Sequence, residues 1–357
     1  MFSLGNKKTG TIGVQITPLQ IRMVELSGTL SAPTVEHYWL EPLAPDIYNG
    51  SDVLDQPKLG EAIKAAYQKG KFSGKNISIA LPAHLIISRE FVLTAEDLSD
   101  PQEFVDKEAA ANVPMDIEDC YLDYQVMDPV DSSNTAFTVA YAASKKQHVD
   151  EYVGAIEIAG LTPKVVDSDQ NAMLHVLDAI ALYQFDGSTE SVMSVHIGHD
   201  QTKYMVIREG RIVWTHDQSG GLRDLQESIS GMFGVELGDA LSMALNPGAY
   251  AEEFPSLEAD LVQPFVDGHA MDILRAVEQY NEQSTVLGVN HLWLSGEACG
   301  LPGLEDTVRD RSGIESVEVA NPLGHCSLGP KIKAEALLEA APVLMVAAGM
   351  AFRSFPQ

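Results

Sequence analysis

The sequence predicts an α/β protein of two related lobes, and two observations lead there. The first is a repeat. Ile12-Gly13-Val14-Gln15-Ile16-Thr17, a turn and Ile21-Arg22-Met23-Val24-Glu25-Leu26 return as Met193-Ser194-Val195-His196-Ile197-Gly198, a turn and Thr202-Lys203-Tyr204-Met205-Val206-Ile207. Each copy reads as strand, tight turn, strand, and self-similarity between the halves of a chain implies two related lobes facing each other. The second is alternation: strand-like and helix-like stretches follow one another in both halves, which defines the α/β class.

Taken in order, residues 11–43 read as three strands, parted by the Pro18 turn and the Gly28–Pro33 stretch. A helix over about 58–68 puts Leu59, Ile63, Ala66 and Tyr67 on one face, and a buried strand over 76–81 closes at Pro82. Residues 84–165 look like an insert: a strand over 85–93, an acidic helix over 101–112, strands near 121–127 and 136–143, and a helix over 145–159 ended by Gly160. A short strand at 165–167 and a helix over about 170–183 lead past Asp186-Gly187-Ser188 to the second hairpin. Helices near 221–233, 237–245 and 257–282 follow, with Ser219-Gly220-Gly221 read as a helix N-cap. A strand over 291–295, a Gly-rich turn, a helix over 301–312, a strand over 317–320 and an apolar terminal helix complete the chain.

The 357-residue chain is long enough for two lobes with real cores. Its net charge of −28 argues against non-specific binding to nucleic acid or anionic lipid and favours basic partners. The acids cluster: twelve Asp or Glu against one Lys between Glu96 and Asp131, and ten against one Arg between Val235 and Glu282. Cys120, Cys299 and Cys326 follow no zinc or disulfide spacing and suit a reducing compartment. Phe2 and Leu4 are followed by Lys7 and Lys8, without the apolar core of a signal peptide. The apolar run Ala340–Phe352 is 13 residues, short of the roughly 18 to 20 a span needs. The expectation is a soluble cytoplasmic protein with no membrane span, recruited to a membrane by a partner.

The two turns are the first candidate site. In one large group of two-lobed proteins, such turns grip a nucleotide's phosphates, with backbone N–H groups aimed at the phosphates and a strand-end carboxylate holding Mg²⁺. Here Gln15 and His196 stand at the strand ends; one is neutral and the other a poor ligand for a hard cation. Thr17 brings a Cβ where a glycine would leave room, and Pro18 has no N–H. The second turn keeps Gly198 and offers Asp200 four positions on. The plain alternative is two ordinary hairpins with no ligand. The strand–turn–helix pattern around Gly296 is a plausible nucleotide rest, but Glu297 would repel phosphate there. His196, His199, Asp200 and His216 lack the helical spacing of a metal pair, so no metal is expected.

Several segments together resemble the PilM family of actin-like proteins of type IV pilus assembly. They are Gly13–Pro18 with Val24-Glu25-Leu26, Ile79-Ala80-Leu81-Pro82, Glu108–Pro114, Ala159-Gly160-Leu161-Thr162-Pro163 before Val166-Asp167, Gly300–Leu304, Val319-Ala320-Asn321-Pro322 and Ala341–Ala351. The resemblance implies an actin-like (ribonuclease H-like) two-lobed fold with an FtsA-type inserted subdomain. Residues 1–83 with helix 340–357 would form the first lobe, 84–165 the insert, 166–184 a crossover helix and 185–338 the second lobe. It further implies an adaptor that binds the cytoplasmic N-terminal tail of PilN between the first lobe and the insert. Through PilN it would join PilO and PilP, with the pilus motor ATPases as further partners. Leu81, Ile86, Phe91 and Phe104 would line that groove, with Asp97, Asp100 and Glu103 on its rim. The resemblance implies that relatives often bind ATP with Mg²⁺, but Gln15, His196 and Glu297 depart from the family's motifs. A degenerate cleft, no cofactor and no enzymatic activity are therefore expected. The alternatives are an ATP-binding actin-like ATPase and a platform component of a type II secretion-like system.

Overall fold

The computed structural model describes residues 9–50, 52–129, 135–184, 191–209, 211–284, 288–314 and 316–355. The chain opens with a three-stranded meander, β1 (Thr9–Ile16), β2 (Gln20–Thr29) and β3 (Ala32–Pro42). Helix α1 (Gln56–Gly70) begins where Asp55 accepts a bond from the Lys58 amide and Pro57 fills the first turn. Strand β4 (Asn76–Leu81) then pairs parallel with β1.

Between β4 and its next parallel neighbour lies a small unit. Strand β5 (Ile86–Thr94), helix α2 (Pro101–Asn112), and strands β6 (Cys120–Pro129) and β7 (Ala136–Lys145) form a sheet in the order β5-β7-β6. Helix α2 covers one face through Val105 and Ala109, which share a core with Leu93, Val139 and Tyr141. The unit ends sooner than the expected residue 165. Helix α3 (Lys146–Ile158) buries Tyr152, Ala155 and Ile156 in the core of α1, and β8 (Thr162–Ser168) pairs parallel with β4. Residues 146–168 therefore pack as part of the first lobe.

Helix α4 (Asp169–Gln184) crosses to the second lobe; Asp186-Gly187-Ser188 lie outside the described residues. The second meander is β9 (Ser191–Ile197), β10 (Gln201–Arg208) and β11 (Arg211–Ser219). Its third strand, with mostly exposed residues, was not foreseen. Helices α5 (Leu222–Phe233), α6 (Leu237–Leu245) and α7 (Gln263–Gln283) follow, then β12 (Val289–Ser295), α8 (Leu304–Ser312) and β13 (Ser316–Val319). Ser219 ends β11, and the N-cap of α5 falls on Gly221, the last residue of the expected Ser219-Gly220-Gly221 stretch, without a side-chain bond.

The sheets carry the same plan. The first runs β3-β2-β1-β4-β8 and the second β11-β10-β9-β12-β13; in each a meander is extended by two parallel strands. The first gains an edge from the short β14 (Ser327–Leu328), which pairs with β3. With Leu323, Ile332 and Leu337 in the core between the sheets, residues 320–338 return to the first lobe instead of ending the second.

Helices α9 (Ala334–Ala340) and α10 (Met345–Phe352) close the chain. With the 3₁₀ turn between them they make a 19-residue stretch of mean hydropathy 1.6, long and apolar enough by length and composition to cross a membrane. The expected 13-residue run, Ala340–Phe352, leaves out residues 334–339 of α9. All of α10 is buried in one cluster with α4 and the facing surfaces of both sheets, the position of a core helix. Backbones meet there: a Cβ on Gly13 would sit 2.0 Å from the Ala347 carbonyl, and one on Gly349 1.8 Å from that of Ala172. Only glycine allows β1, α10 and α4 to stack this closely.

Candidate functional site

The repeat places its two turns opposite each other, and each meander presents a cation beside its strand end. Gln15 pairs across the ladder with Arg22, and His196 with Lys203. Each cation reaches a carboxylate of the other lobe. Arg22, wholly buried, ion-pairs with Glu297, which follows β12. Lys203 ion-pairs with Asp169, which opens α4 after β8 and also accepts the Ala83 amide at 3.0 Å.

Gln15 and Glu297 are thus drawn inward. Gln15 accepts a 3.0 Å bond from the Arg22 guanidinium. Burial pushes the Glu297 carboxyl up, but Arg22 and His196 pull it further down, below the usual carboxylate range. The expectation that Glu297 presents a free charge is corrected: the guanidinium compensates it. Gly296, in the left-handed region with φ 94°, lets this turn press on Ile197, whose carbonyl lies 2.4 Å from where a Cβ would stand.

His196 is buried, with Nδ1 3.0 Å from the Ser295 hydroxyl. Burial lowers its pKa to about 4, assisted by Arg22 and Lys203 and opposed by Glu297. It stands at the strand end as a neutral imidazole. His199 is the opposite case. Its Nε2 faces Gln226 Oε1 at 3.0 Å, while the Gln226 amide group donates to the Leu237 carbonyl at 2.6 Å. Its Nδ1 faces Asp200 Oδ2 at 3.2 Å. Two acceptors require two protons. Burial alone would lower the pKa, but the bonds to Asp200 and Gln226 raise it above the ordinary value. Asp200 also meets Arg223 at 2.7 Å, so the acid offered by the second turn is already occupied.

The turn amides are used locally as well. Thr17 N–H donates to the Gln20 carbonyl at 3.0 Å, and Gly198 N–H to the Gln201 carbonyl at 2.9 Å. The Thr17 hydroxyl bonds the Gln20 carbonyl at 3.1 Å, closing its own turn. The first amides of α5, on Leu222 and Arg223, donate to the carbonyls of Gly198 and His199. A helix N-terminus that could face an anion is sealed by the hairpin. Among the described residues, no three His, Cys, Asp or Glu groups converge to hold a metal ion. His216 instead stacks on Trp214 in β11.

Over residues 13–355 the sequence matches the family of the type IV pilus assembly protein PilM. The chain belongs to the PilM family. A solved PilM–PilN type IV pilus biogenesis complex is similar in fold, with a TM-score of 0.80, 23% identity, and 98% of this chain and 99% of that one covered. The ethanolamine utilization protein EutJ from Carboxydothermus hydrogenoformans is similar with a TM-score of 0.56 and 13% identity, over 96% and 89% of the two chains. The fold of this PilM-family chain is actin-like.

The expected groove does not come together. Leu81 is fully buried in the core shared by α1 and α3, with Ile86 packed against it. Phe91 and Phe104 belong to the separate core under α2, with Phe91 edge-on to Tyr141. Leu81 is closed to any partner because that core leaves its side chain no exposed surface. Of the expected rim, Asp97 accepts from the Thr94 amide and hydroxyl, Glu103 pairs with Lys107, and Asp100 stays exposed before α2. Sequence reasoning missed Arg22 and Lys203. The available signal was the cation at the same step of each repeated hairpin.

Proposed function

We propose that this chain is a non-catalytic adaptor of the type IV pilus inner-membrane platform. It captures the cytoplasmic N-terminal tail of PilN at the inner face of the membrane and through PilN is tied to PilO, PilP and the motor ATPases. Family membership and the similar PilM–PilN complex support the pilus role and the partner. The observation that carries the non-catalytic part is the state of the cleft carboxylates: Glu297, Asp169 and Asp200 each hold a cationic side chain of the protein. The residues do not fit Mg·ATP. Gln15 and His196 supply no charge for the metal, and the Thr17 and Gly198 amides already have acceptors. The lobes are joined by their own ion pairs, where a nucleotide would otherwise bridge them.

Calorimetric titration of the purified chain with Mg·ATP tests this; no binding is expected, and saturable micromolar affinity would overturn the degenerate cleft. The docking part is tested separately with a synthetic PilN tail. Saturable binding of that tail is expected, and Asp100→Lys with Glu103→Lys should weaken it several-fold by removing acidic charge from the surface of the insert, since complementary charge speeds encounter with a basic tail. Unchanged affinity would move the contact away from the insert.

A further inference from the structure

A cavity of about 610 Å³ opens where β3, the end of α1 and the segment before α9 meet, away from the cleft between the turns. Its charge is opposite to that of the molecule. Lys69, Lys71, Lys331 and Lys333 line it, four of only fourteen lysines in a chain of net charge −28. Glu339 is the acid in the lining, and Glu41 behind it pairs with Lys69. Lys71, Lys331 and Lys333 form no ion pair among the described residues. The negative end of the α1 dipole accounts for a cation near Lys69. It does not account for Lys331 and Lys333, which come from a distant segment.

Lys71 adds a second observation. It sits just past α1 with φ 58°, one of two non-glycine residues with positive φ among those described. Glycine holds such a position without strain, whereas a residue with a Cβ is strained there. A lysine stands there and lines the same cavity as the other three. Ammonium groups gathered around one concavity repel each other, and a multivalent anion relieves that repulsion. Lysine binds phosphate as a point charge, without the planar match that arginine gives to carboxylates. Tyr38 and Trp39, on opposite faces of β3, both border the cavity, and the volume suits a whole small molecule or headgroup.

We propose that this cavity is a binding site for a ligand carrying clustered phosphate groups. The chemistry is shared by soluble polyphosphorylated compounds and by the headgroups of anionic lipids. The site is independent of the adaptor reading.

Calorimetry of the full chain with inorganic tripolyphosphate at low ionic strength tests the first source. Sedimentation with phosphatidylcholine vesicles, with and without phosphatidylglycerol, tests the second. Binding in at least one arm is expected, and the arm that binds names the source. In that arm Lys331→Glu with Lys333→Glu should lower affinity about tenfold or more. The melting temperature should be unchanged, because both side chains are exposed and unpaired. Lys331→Gln with Lys333→Gln gives a milder version should the reversed charges disturb folding. Lys107→Glu with Lys164→Glu makes the same change in net charge elsewhere and should leave affinity within about twofold. Failure of both arms, or an equal loss in the control pair, overturns the site.

Discussion

Arg22 satisfies Gln15 and Glu297 at once from a buried position. Arg22→Ala should cost about 3–5 kcal/mol in urea unfolding, mostly from leaving the Glu297 charge buried without a partner. Arg22→Met with Glu297→Leu should recover most of that loss, since removing both charges removes the desolvation penalty. The two histidines of the second turn should give opposite pH dependence. His196 titrates near 4 when folded and near 6.5 when unfolded, so its contribution is complete above pH 6.5 and lost as pH falls toward 4. His199 has a raised folded pKa, so its contribution is complete below pH 6.5 and lost as pH rises through the folded value. His196→Gln should flatten the stability profile on the acid side, and His199→Gln on the basic side. Identical profiles for the two variants would contradict these protonation states. The sequence exposed the missing carboxylates at 15 and 196, because residue type alone decides whether a metal can be held there. It could not show that Glu297 is neutralised, since its partner lies 275 residues away.

At the scale of elements, periodicity located most strands and helices. It did so where one face is buried and the other is wet, as in α1 with Leu59, Ile63 and Ala66 inside. It failed at β11, whose Thr215, His216 and Asp217 are exposed at a sheet edge, so no apolar alternation marks it. The boundaries of the insert failed for another reason. Helix α3 looks alike whether it packs on the insert or on α1, and only its tertiary packing decides: Tyr152, Ala155 and Ile156 share the core of α1, and Ile158 lies against Gly60. The close stack of β1, α10 and α4 makes its own prediction. Gly349→Ala or Gly13→Ala should each cost about 3 kcal/mol or more by thermal unfolding, because a Cβ meets backbone and cannot be relieved by a rotamer change. Gly248→Ala, with open space at its Cβ, should change stability by less than about 0.5 kcal/mol.

For the whole molecule, the reciprocal pairs Arg22–Glu297 and Lys203–Asp169 hold the lobes at two points. Lys203→Met with Asp169→Asn should speed hydrogen exchange in both hairpins with little effect on the insert, whose core is separate. Equal protection before and after would mean that α4 and α10 alone set the lobe arrangement. The sequence by itself determined the doubled α/β plan, the PilM kinship and the lack of metal-binding acids at 15 and 196. Those are properties of local pattern and residue identity, and they survive without knowing what lies nearby. Only the tertiary structure decided that the cleft is joined by its own ions, that Leu81 is core and not groove, and that four lysines share a cavity. Each depends on residues far apart in the chain meeting at a few ångströms, where burial and charge acquire their energy.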